Sequence, residues 1–514
     1  MTTGIIVPMR RPFVLLLILS VALILLRLAS YDEPIEWDVG TYTVIAREIL
    51  GGERLYDDIW ADVKPPAVYV TFAAMQAIAG DGFLHVYLLS VTAAIVTMLG
   101  VYYAAAVAGP LAGIFAAIFW AVMCFDPGMG GDVPNTEVFI NAAIAWALGL
   151  WLRAEAAPRE SWLRWIGIGL LFFVASTYKQ VAIVPTIFLA IVEIVAPPAG
   201  ESRTRAMTRV VVMVAVGVIG WGLLFGYFAL TDRGWIAWQT MVVSPRAYGG
   251  NQVRNLIDSF VIGKGLPRQL AFSLSAAALT LIGAFMGTLA APRRAWLLLA
   301  ALAVGTHLAV ALPGQFFPHY HQYWFVPLSI GAGWGAAALW TMHDGRGRPL
   351  ARVAVVLAAL VVIFPQLTWL PLSGRERAQR KYGDFFMYAN DAFRDVDRLL
   401  LPDETFYAWT DEAYGYVIAR RRVPAAGLWK LQTTSGPLAD WITQRTLADL
   451  ERNPPELFIH YGSPSEFADH PIAKWSLAHY DPLPGENRKH FPLYFYVRRG
   501  GALERRLAEA STRP

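Results

Sequence analysis

Long apolar segments constrain this chain more than any other feature of its sequence. Hydrophobic residues make up 56% of its 514 residues, a share that a soluble protein of this size would not have. A helix needs about 20 apolar residues to cross a bilayer. The sequence predicts an α-helical polytopic membrane protein with about 11 spans, near residues 12–30, 83–106, 109–125, 137–153, 162–177, 180–196, 208–230, 270–290, 295–312, 321–341 and 350–370.

Arginine clusters predict the orientation of these spans. They fall between alternate spans and therefore on one side, which the excess of positive charge in cytoplasmic loops marks as the cytoplasm. The net charge of +4 is small, so we expect a lipid bilayer and no nucleic acid as partner. The clusters are Arg10 and Arg11; Arg153, Arg159 and Arg164; Arg203, Arg205 and Arg209; Arg293 and Arg294; and Arg346, Arg348 and Arg352.

One apolar run, Ala67–Ala79, is left out of the count of spans. As a helix its 13 residues would extend about 20 Å, which is shorter than a ~30 Å hydrocarbon core. Counting it as a span would also place most later arginine clusters outside. We therefore predict a re-entrant helix, with the segment 31–66 and the C-terminal part on the external side.

The C-terminal residues 371–514 differ from the rest in composition, because they are charged and their apolar runs are short. We predict a membrane domain over 1–370 and an external soluble α/β domain over 371–514, with a strand–helix–strand unit at its centre. The predicted elements are a helix at Asp384–Leu400, a strand at Thr405–Thr410, a helix from Pro437 to Asn453, a strand at Glu456–Tyr461 and an edge strand at Phe491–Val497.

The segment 31–66, after the first span, is rich in acidic and aromatic residues and ends in a lysine before two prolines. An acidic loop at a membrane surface that ends in a fixed lysine could hold a base and a phosphate contact. Its pattern is Asp38-x-x-x-Tyr42, Ala46-Arg47, Gly51-Gly52-Glu53, Tyr56-x-Asp58 and Lys64-Pro65-Pro66.

This combination resembles the first external loop of bacterial GT-C glycosyltransferases, the relatives of protein O-mannosyltransferases and aminoarabinose transferases. The resemblance implies a GT-C membrane fold and transfer of a sugar from a polyprenyl-phosphate donor, with inversion in one displacement. Two positions depart from the pattern. Val39 stands where many members have Glu, and Val63 stands where some relatives carry a carboxylate that takes part in metal binding. No cofactor is certain, and Mg²⁺ or Mn²⁺ remains open.

The resemblance assigns roles to the two ends of the motif. Asp38 is the candidate base that removes the acceptor's proton; alternatively, it caps a helix that begins near Thr41. Lys64 is the candidate contact of the donor phosphate; alternatively, it reaches lipid headgroups from the membrane interface.

Further candidates lie in the other predicted external loops. Pro-x-x-Glu at the start of a span resembles the second acidic position of the family, which makes Glu137 a catalytic candidate, although the helix dipole also explains an acid there. Asp132, which precedes it, is a further catalytic candidate. A zinc site at Pro318-His319-Tyr320-His321 is less expected than aromatic packing at the membrane interface. The remaining candidates are Lys179, Arg246 and Arg254 for the donor phosphate, and Tyr42, Tyr56, Asp58, His319 and Tyr320 for other substrate contacts.

We therefore expect a bacterial inner-membrane, multi-pass glycosyltransferase that acts on the external side. Its acceptor would be lipid A, a cell-wall glycan, a lipid or a protein. The alternatives are a transporter of lipid-linked sugars and a non-catalytic glycan-binding membrane protein. Transporters usually keep ionisable residues near mid-membrane and show internal repeats, whereas here the acids gather at predicted span ends.

Overall fold

The fold is given by a computed structural model that describes residues 10–60, 63–155, 161–266, 268–342, 347–462 and 468–512. Arg159 and Arg346 of the arginine clusters and Asp62 of the acidic segment lie outside these residues. The longer helices are α1 Arg10–Leu28, α2 Trp37–Leu50, α3 Ala67–Ala79, α4 Phe83–Ala105, α5 Pro110–Met123, α6 Thr136–Glu155, α7 Trp162–Tyr178, α8 Ile183–Val195 and α9 Arg203–Leu230. Three short helices follow, α10 Gly234–Trp238, α11 Ser244–Gly249 and α12 Gln252–Asp258, and then α13 Leu274–Met286, α14 Arg293–Ala311, α15 Phe325–Thr341, α16 Gly347–Leu367 and α17 Gly374–Leu399.

Every predicted span coincides with one of these helices. Six helical stretches are long and apolar enough to cross a membrane: Phe83–Ala108, Thr136–Ala154, Arg203–Leu230, Leu270–Leu289, Arg293–Ala311 and Gly347–Leu367. Helices also stand at the other five predicted spans, in α1, α5, α7, α8 and α15. The chain is thus a multi-pass membrane protein, and the number of spans stays a prediction. The helix at Ala67–Ala79 is confirmed as α3, while its re-entrant position stays a prediction.

The chain divides into two compact units, of which the first comprises Met1–Tyr31, Val86–Gly226 and Gly249–Leu372. Small residues let its helices approach closely. A side chain on Gly333 would begin 2.6 Å from the carbonyl oxygen of Ala112 in α5, and one on Gly335 would begin 2.0 Å from that of Leu279 in α13. Helices in a membrane gain stability from such close packing because lipid supplies no hydrophobic drive between them.

The second unit comprises Asp32–His85, Tyr227–Tyr248 and Ser373–Pro514. It is therefore larger than the C-terminal region 371–514 alone. Its remaining helices are α18 Gly415–Ile418, α19 Lys430–Thr434, α20 Ala439–Arg452, α21 Pro471–His479, α22 Pro484–Lys489 and α23 Ala502–Thr512. Its strands are β1 Phe406–Trp409, β2 Leu457–Tyr461, β3 Tyr480–Pro482 and β4 Leu493–Arg498.

The sheet of the second unit has the order β1-β2-β4-β3. β1 and β2 are parallel, with Phe406 opposite Leu457, and α20 connects them, so the predicted strand–helix–strand unit is confirmed. The strand predicted at Phe491–Val497 is confirmed as β4, but its edge position is wrong, because β4 pairs antiparallel with both β2 and β3. The edge strands are β1 and β3, and the three residues of β3 are too few to show alternation in the sequence.

The segment 31–66 is not a continuous loop, because α2 occupies its centre. α2 buries an apolar surface that includes Val39, Tyr42 and Ala46. It packs on α3, where the rings of Tyr42 and Phe72 lie 5.4 Å apart and the Gln76 side chain donates to the carbonyl of Thr43 at 2.8 Å. α2 begins at Trp37, earlier than the start near Thr41 that the sequence suggested.

Candidate active site

Asp38 and Lys64, the two ends of the motif, lie side by side in the second unit. The Nζ atom of Lys64 is 3.6 Å from Oδ1 of Asp38, and their side chains are only 12% and 18% exposed, respectively. Asp38 stands in the first turn of α2, where the helix dipole favours a negative charge. The pair places a carboxylate and an ammonium group, both partly accessible to solvent, within one small site.

Two tyrosines of the motif help to place the lysine. The hydroxyl of Tyr56 donates to the carbonyl of Lys64 at 2.7 Å, and the ammonium of Lys64 lies 5.4 Å from the ring centroid of Tyr42. Both tyrosines are buried. Their contacts with Lys64 give them a positioning role, while their predicted contact with substrate stays a prediction.

Asp38 is not the N-cap of α2, so that alternative is wrong. The cap is Glu36, whose carboxylate oxygens accept hydrogen bonds at 3.2 Å from the backbone N–H groups of Asp38 and Val39. A capping side chain accepts from backbone N–H groups in the first turn of the helix that follows it, and Glu36 does so one residue before Trp37. The carboxylate of Asp38 is therefore not needed for capping.

Glu36 is a site residue that the sequence interpretation missed. Burial and then the negative charge of Asp38 raise the pKa of Glu36 to about 8, against the opposing effects of its backbone hydrogen bonds and of Lys64. Two carboxyl groups this close do not both ionise readily. The signal in the sequence was an acid two residues before Asp38 at the start of an apolar helical pattern.

Other parts of the motif hold the second unit together. Arg47 donates to the carbonyl of Arg421 at 2.6 Å, and the buried carboxylate of Glu48 accepts from Arg422 at 2.9 Å. Asp58 accepts from Arg445 at 3.1 Å and from the backbone N–H of Arg54 at 2.9 Å. These contacts give several residues of the motif a role in the folding of the second unit. The substrate contact predicted for Asp58 stays a prediction.

A second cluster lies in the first unit and joins four predicted residues. Lys179 Nζ is 2.9 Å from Oε1 of Glu137, whose side chain is fully buried, and 3.3 Å from the ring centroid of Tyr320. The hydroxyl of Thr136 donates to the other carboxylate oxygen of Glu137 at 2.9 Å. His319 packs edge-on against Tyr320, with ring centroids 4.8 Å apart. The cluster keeps one lysine, one glutamate and two rings in contact.

Hydrogen bonds of buried polar side chains fix the loop before α6. Asp132 accepts from the hydroxyl of Ser30 at 2.8 Å, and Arg27 donates to the carbonyls of Cys124 and Gly131 at 2.8 and 3.1 Å. Burial raises the pKa of Asp126 to about 6, although a hydrogen bond from Gln366 lowers it. Cys124 is buried.

Two predicted phosphate contacts lie apart from these clusters. Arg246 is exposed in α11 of the second unit. Arg254 belongs to the first unit, where its side chain is 75% exposed and lies 3.7 Å from Asp258. No described contact joins either arginine to Lys64 or Lys179, so their predicted role stays a prediction.

None of the acids predicted for the site forms a three-ligand metal group within the described residues. The one group that converges there consists of Asp395, Glu486 and His490. Its Asp395 already contacts Lys489, so a cation is present in the form of a lysine. Near Asp38 the corresponding cation is Lys64. A role for Mg²⁺ or Mn²⁺ stays open, and no chemical step below requires a metal.

A model of the family described as dolichyl-phosphate-mannose-protein mannosyltransferase matches residues 63–230. No curated protein matches the chain. Among solved structures, ArnT from Cupriavidus metallidurans bound to undecaprenyl phosphate is 15% identical, with a TM-score of 0.59 over 94% of this chain and 97% of that chain. Its apo form gives a TM-score of 0.61 over the same shares at 15% identity.

The archaeal oligosaccharyltransferase AglB from Archaeoglobus fulgidus, in complex with an inhibitory peptide and a dolichol-phosphate, is also similar. It is 13% identical, with a TM-score of 0.56 over 95% of this chain and 74% of that chain. Similarity over nearly the whole chain at such low identities establishes the fold. The chain therefore has the fold of the GT-C glycosyltransferases that depend on polyprenyl phosphates.

Proposed function

We propose that this protein is a membrane glycosyltransferase that moves a sugar from a polyprenyl-phosphate donor to an acceptor of the bacterial cell envelope. The reaction takes place on the periplasmic or extracellular face of the inner membrane and inverts the anomeric centre. The observation that carries the proposal is the pair of Asp38 and Lys64, a carboxylate and an ammonium 3.6 Å apart in a largely buried site.

The chemistry needs a base for the acceptor and a cation for the leaving phosphate. Asp38 accepts the proton of the acceptor hydroxyl as that oxygen attacks the anomeric carbon. The bond between that carbon and the phosphate oxygen breaks, and Lys64 offsets the charge that the phosphate keeps. Before the donor binds, each of the two side chains balances the charge of the other. The donor phosphate replaces Asp38 as the partner of Lys64 and leaves the carboxylate for the acceptor.

The compared proteins support a lipid-linked donor. The ArnT structure contains undecaprenyl phosphate and the AglB structure contains a dolichol-phosphate. Lys179 offers a second cation in the first unit, where Glu137 fixes its position. Arg246 and Arg254 are exposed and could contribute further positive charge to donor binding. The acceptor is an envelope glycan, a lipid such as lipid A, or a protein.

The test begins with the product and ends with Asp38. Mass spectrometry of envelope glycans and lipids from cells with and without the gene identifies the modified acceptor. In cells without the gene, the Asp38→Asn variant should then restore under about 1% of the wild-type rate of modification, because a general base raises the rate roughly 10²–10⁴-fold. Asn keeps the size of Asp and leaves the cap formed by Glu36 in place, so the purified variant should melt close to wild type.

Asp57→Asn is the matched control, since Asp57 lies in the same segment and its carboxylate pairs with Arg445 at 3.1 Å. It should keep most of the activity. If Asp38→Asn retains more than a third of the wild-type rate, Asp38 is not the base, and Glu137 and Asp132 become the next residues to test. A change in lipid-linked precursors without a modified acceptor would instead indicate a transporter.

A further inference from the structure

The second unit contains a cavity of about 360 Å³ that none of the predicted site residues lines. Its volume is in the range of pockets that hold small ligands, roughly 300–1,000 Å³. Three arginines, Arg394, Arg398 and Arg420, stand around it, and its apolar wall includes Ile35 and Val417. Positive groups over an apolar wall suit an amphiphilic anion.

Two of the arginines come from one face of α17 and are only loosely held. Arg394 lies 3.3 Å from Asp391 and Arg398 lies 2.9 Å from Asp395, and the arginine side chains are 52% and 78% exposed. Exposed ion pairs of this kind contribute about 0–1 kcal/mol. Each guanidinium also has five N–H donors, so both can bind an anion without losing a strong contact.

Arg420 is the most informative of the three. Its backbone has a φ of 52°, a left-handed conformation that residues with a side chain rarely adopt. Its side chain is exposed and forms no ion pair with any residue in the described part of the chain. A side chain kept in a strained backbone position, with its charge unpaired at the edge of a cavity, suggests a role in binding.

The neighbouring residue, Arg421, contacts the residues around the turn at Arg420. The buried guanidinium of Arg421 donates to the carbonyl of Leu400 at 2.6 Å and to that of Ala419 at 2.8 Å. It also pairs with Asp397, another lining residue, at 2.9 Å. Arg421 therefore both holds the turn and neutralises an acid of the cavity, so the three lining arginines outweigh the remaining acid, Asp32.

Two further groups can accept hydrogen bonds from hydroxyls. Asp32 is exposed at the cavity. The side-chain nitrogen of Asn390 donates to the carbonyl of Phe386 at 2.8 Å, which leaves the side-chain oxygen as an acceptor. We propose that this cavity binds a phosphate group that carries a polyol or sugar, with Arg420, Arg394 and Arg398 on the phosphate and Asp32 and Asn390 on hydroxyls.

Two sources could supply such a ligand. Phe83, which also lines the cavity, is the first residue of a helix apolar enough to cross a membrane. A phospholipid with a glycerol headgroup could therefore reach the cavity from the bilayer. A free phosphorylated polyol or sugar would carry the same chemistry from solution.

The test uses the full chain in nanodiscs and two probes. Glycerol phosphate is titrated calorimetrically into protein in phosphatidylcholine nanodiscs. In the second arm, native mass spectrometry counts the phosphatidylglycerol molecules retained from mixed nanodiscs. Arg420→Gly should weaken the binding of whichever probe binds by about 10-fold or more, the loss expected for a charge-assisted hydrogen bond. It should also melt no lower than wild type, because Gly adopts a positive φ without strain.

Arg505→Gln is the control, since Arg505 is an exposed arginine of α23 in the same unit and does not line the cavity. It should change binding by less than about 2-fold, as expected of a distant surface charge. Binding of glycerol phosphate assigns the site to a soluble ligand, and retention of phosphatidylglycerol alone assigns it to a lipid headgroup. Absence of binding in both arms, or equal losses in Arg420→Gly and Arg505→Gln, would overturn the proposal. None of these measurements depends on sugar transfer.

Discussion

At the residue scale, Glu36 performs two tasks with one side chain. It caps α2 through two backbone hydrogen bonds, and it lies close enough to Asp38 for the charges of the two to interact. Its pKa of about 8 means that near neutral pH much of it is protonated. Asp38 can then carry the negative charge of the pair, as a base requires.

Glu36→Gln should flatten the dependence of stability on pH. The folded pKa of Glu36, about 8, is above its usual value of 4.5. Its favourable contribution is therefore full below pH 4.5 and is lost as the pH rises through about 8. Gln does not titrate but keeps an oxygen for capping. Melting temperatures measured between these pH values should show wild type losing stability relative to the variant. Parallel curves would mean that the pKa of Glu36 is near 4.5 in the folded protein.

Lys64→Ala should weaken use of the donor more than use of the acceptor. Removing one charged hydrogen bond costs about 1.5–3 kcal/mol, which corresponds to a rise in the donor KM of roughly 10–150-fold. Lys64→Arg, which keeps the charge, is the matched control and should retain part of the affinity. Donor titrations that leave both KM and kcat unchanged would assign Lys64 to contact with lipid headgroups.

At the scale of elements, the fit of α15 against its neighbours depends on glycines. Gly335→Ala should lower the thermal stability of the detergent-solubilised protein, because the added methyl group would begin 2.0 Å from the carbonyl oxygen of Leu279. Overpacking of this kind costs about 1–3 kcal/mol. Gly222→Ala in α9 is the control, since no atom of the described residues lies within 4 Å of its added carbon, and it should be neutral or slightly stabilising. Equal melting temperatures for both variants would show that α13 and α15 can separate without loss.

At the scale of the whole molecule, the arginine clusters predict that the acidic segment and the C-terminal region face the same side of the membrane. Glu53→Cys and Asp403→Cys, both at exposed positions, should react with an impermeant thiol reagent in spheroplasts. Ser202→Cys, between α8 and α9, should react only after lysis. The native Cys124 is buried and should give little background. Labelling of only one of the first two positions would contradict the predicted topology.

Patterns with a simple physical period were recoverable from the sequence. The apolar segments predicted the helix at each of the 11 proposed spans because lipid demands long runs of apolar side chains and internally satisfied backbones. The short helices α10, α11 and α12 were not predicted. The parallel β1 and β2 followed from a strand–helix–strand order. The edge strand was predicted wrongly because β3 is too short to show a pattern, and strand order depends on pairing between distant segments.

The candidate site likewise combines features that the sequence predicts with features that only the tertiary structure decides. The motif alone located Asp38 and Lys64, because their spacing and the following prolines are local features. Only tertiary structure brought Lys64 to 3.6 Å from Asp38 and Lys179 to 2.9 Å from Glu137. Only burial, which no single residue encodes, raised the pKa of Glu36, and only tertiary structure placed three exposed arginines around one cavity. The sequence by itself thus determined the membrane class and the candidate chemistry, whereas the packing of distant segments decided which charges meet, since the strength of a charge interaction depends on distance and solvent exposure.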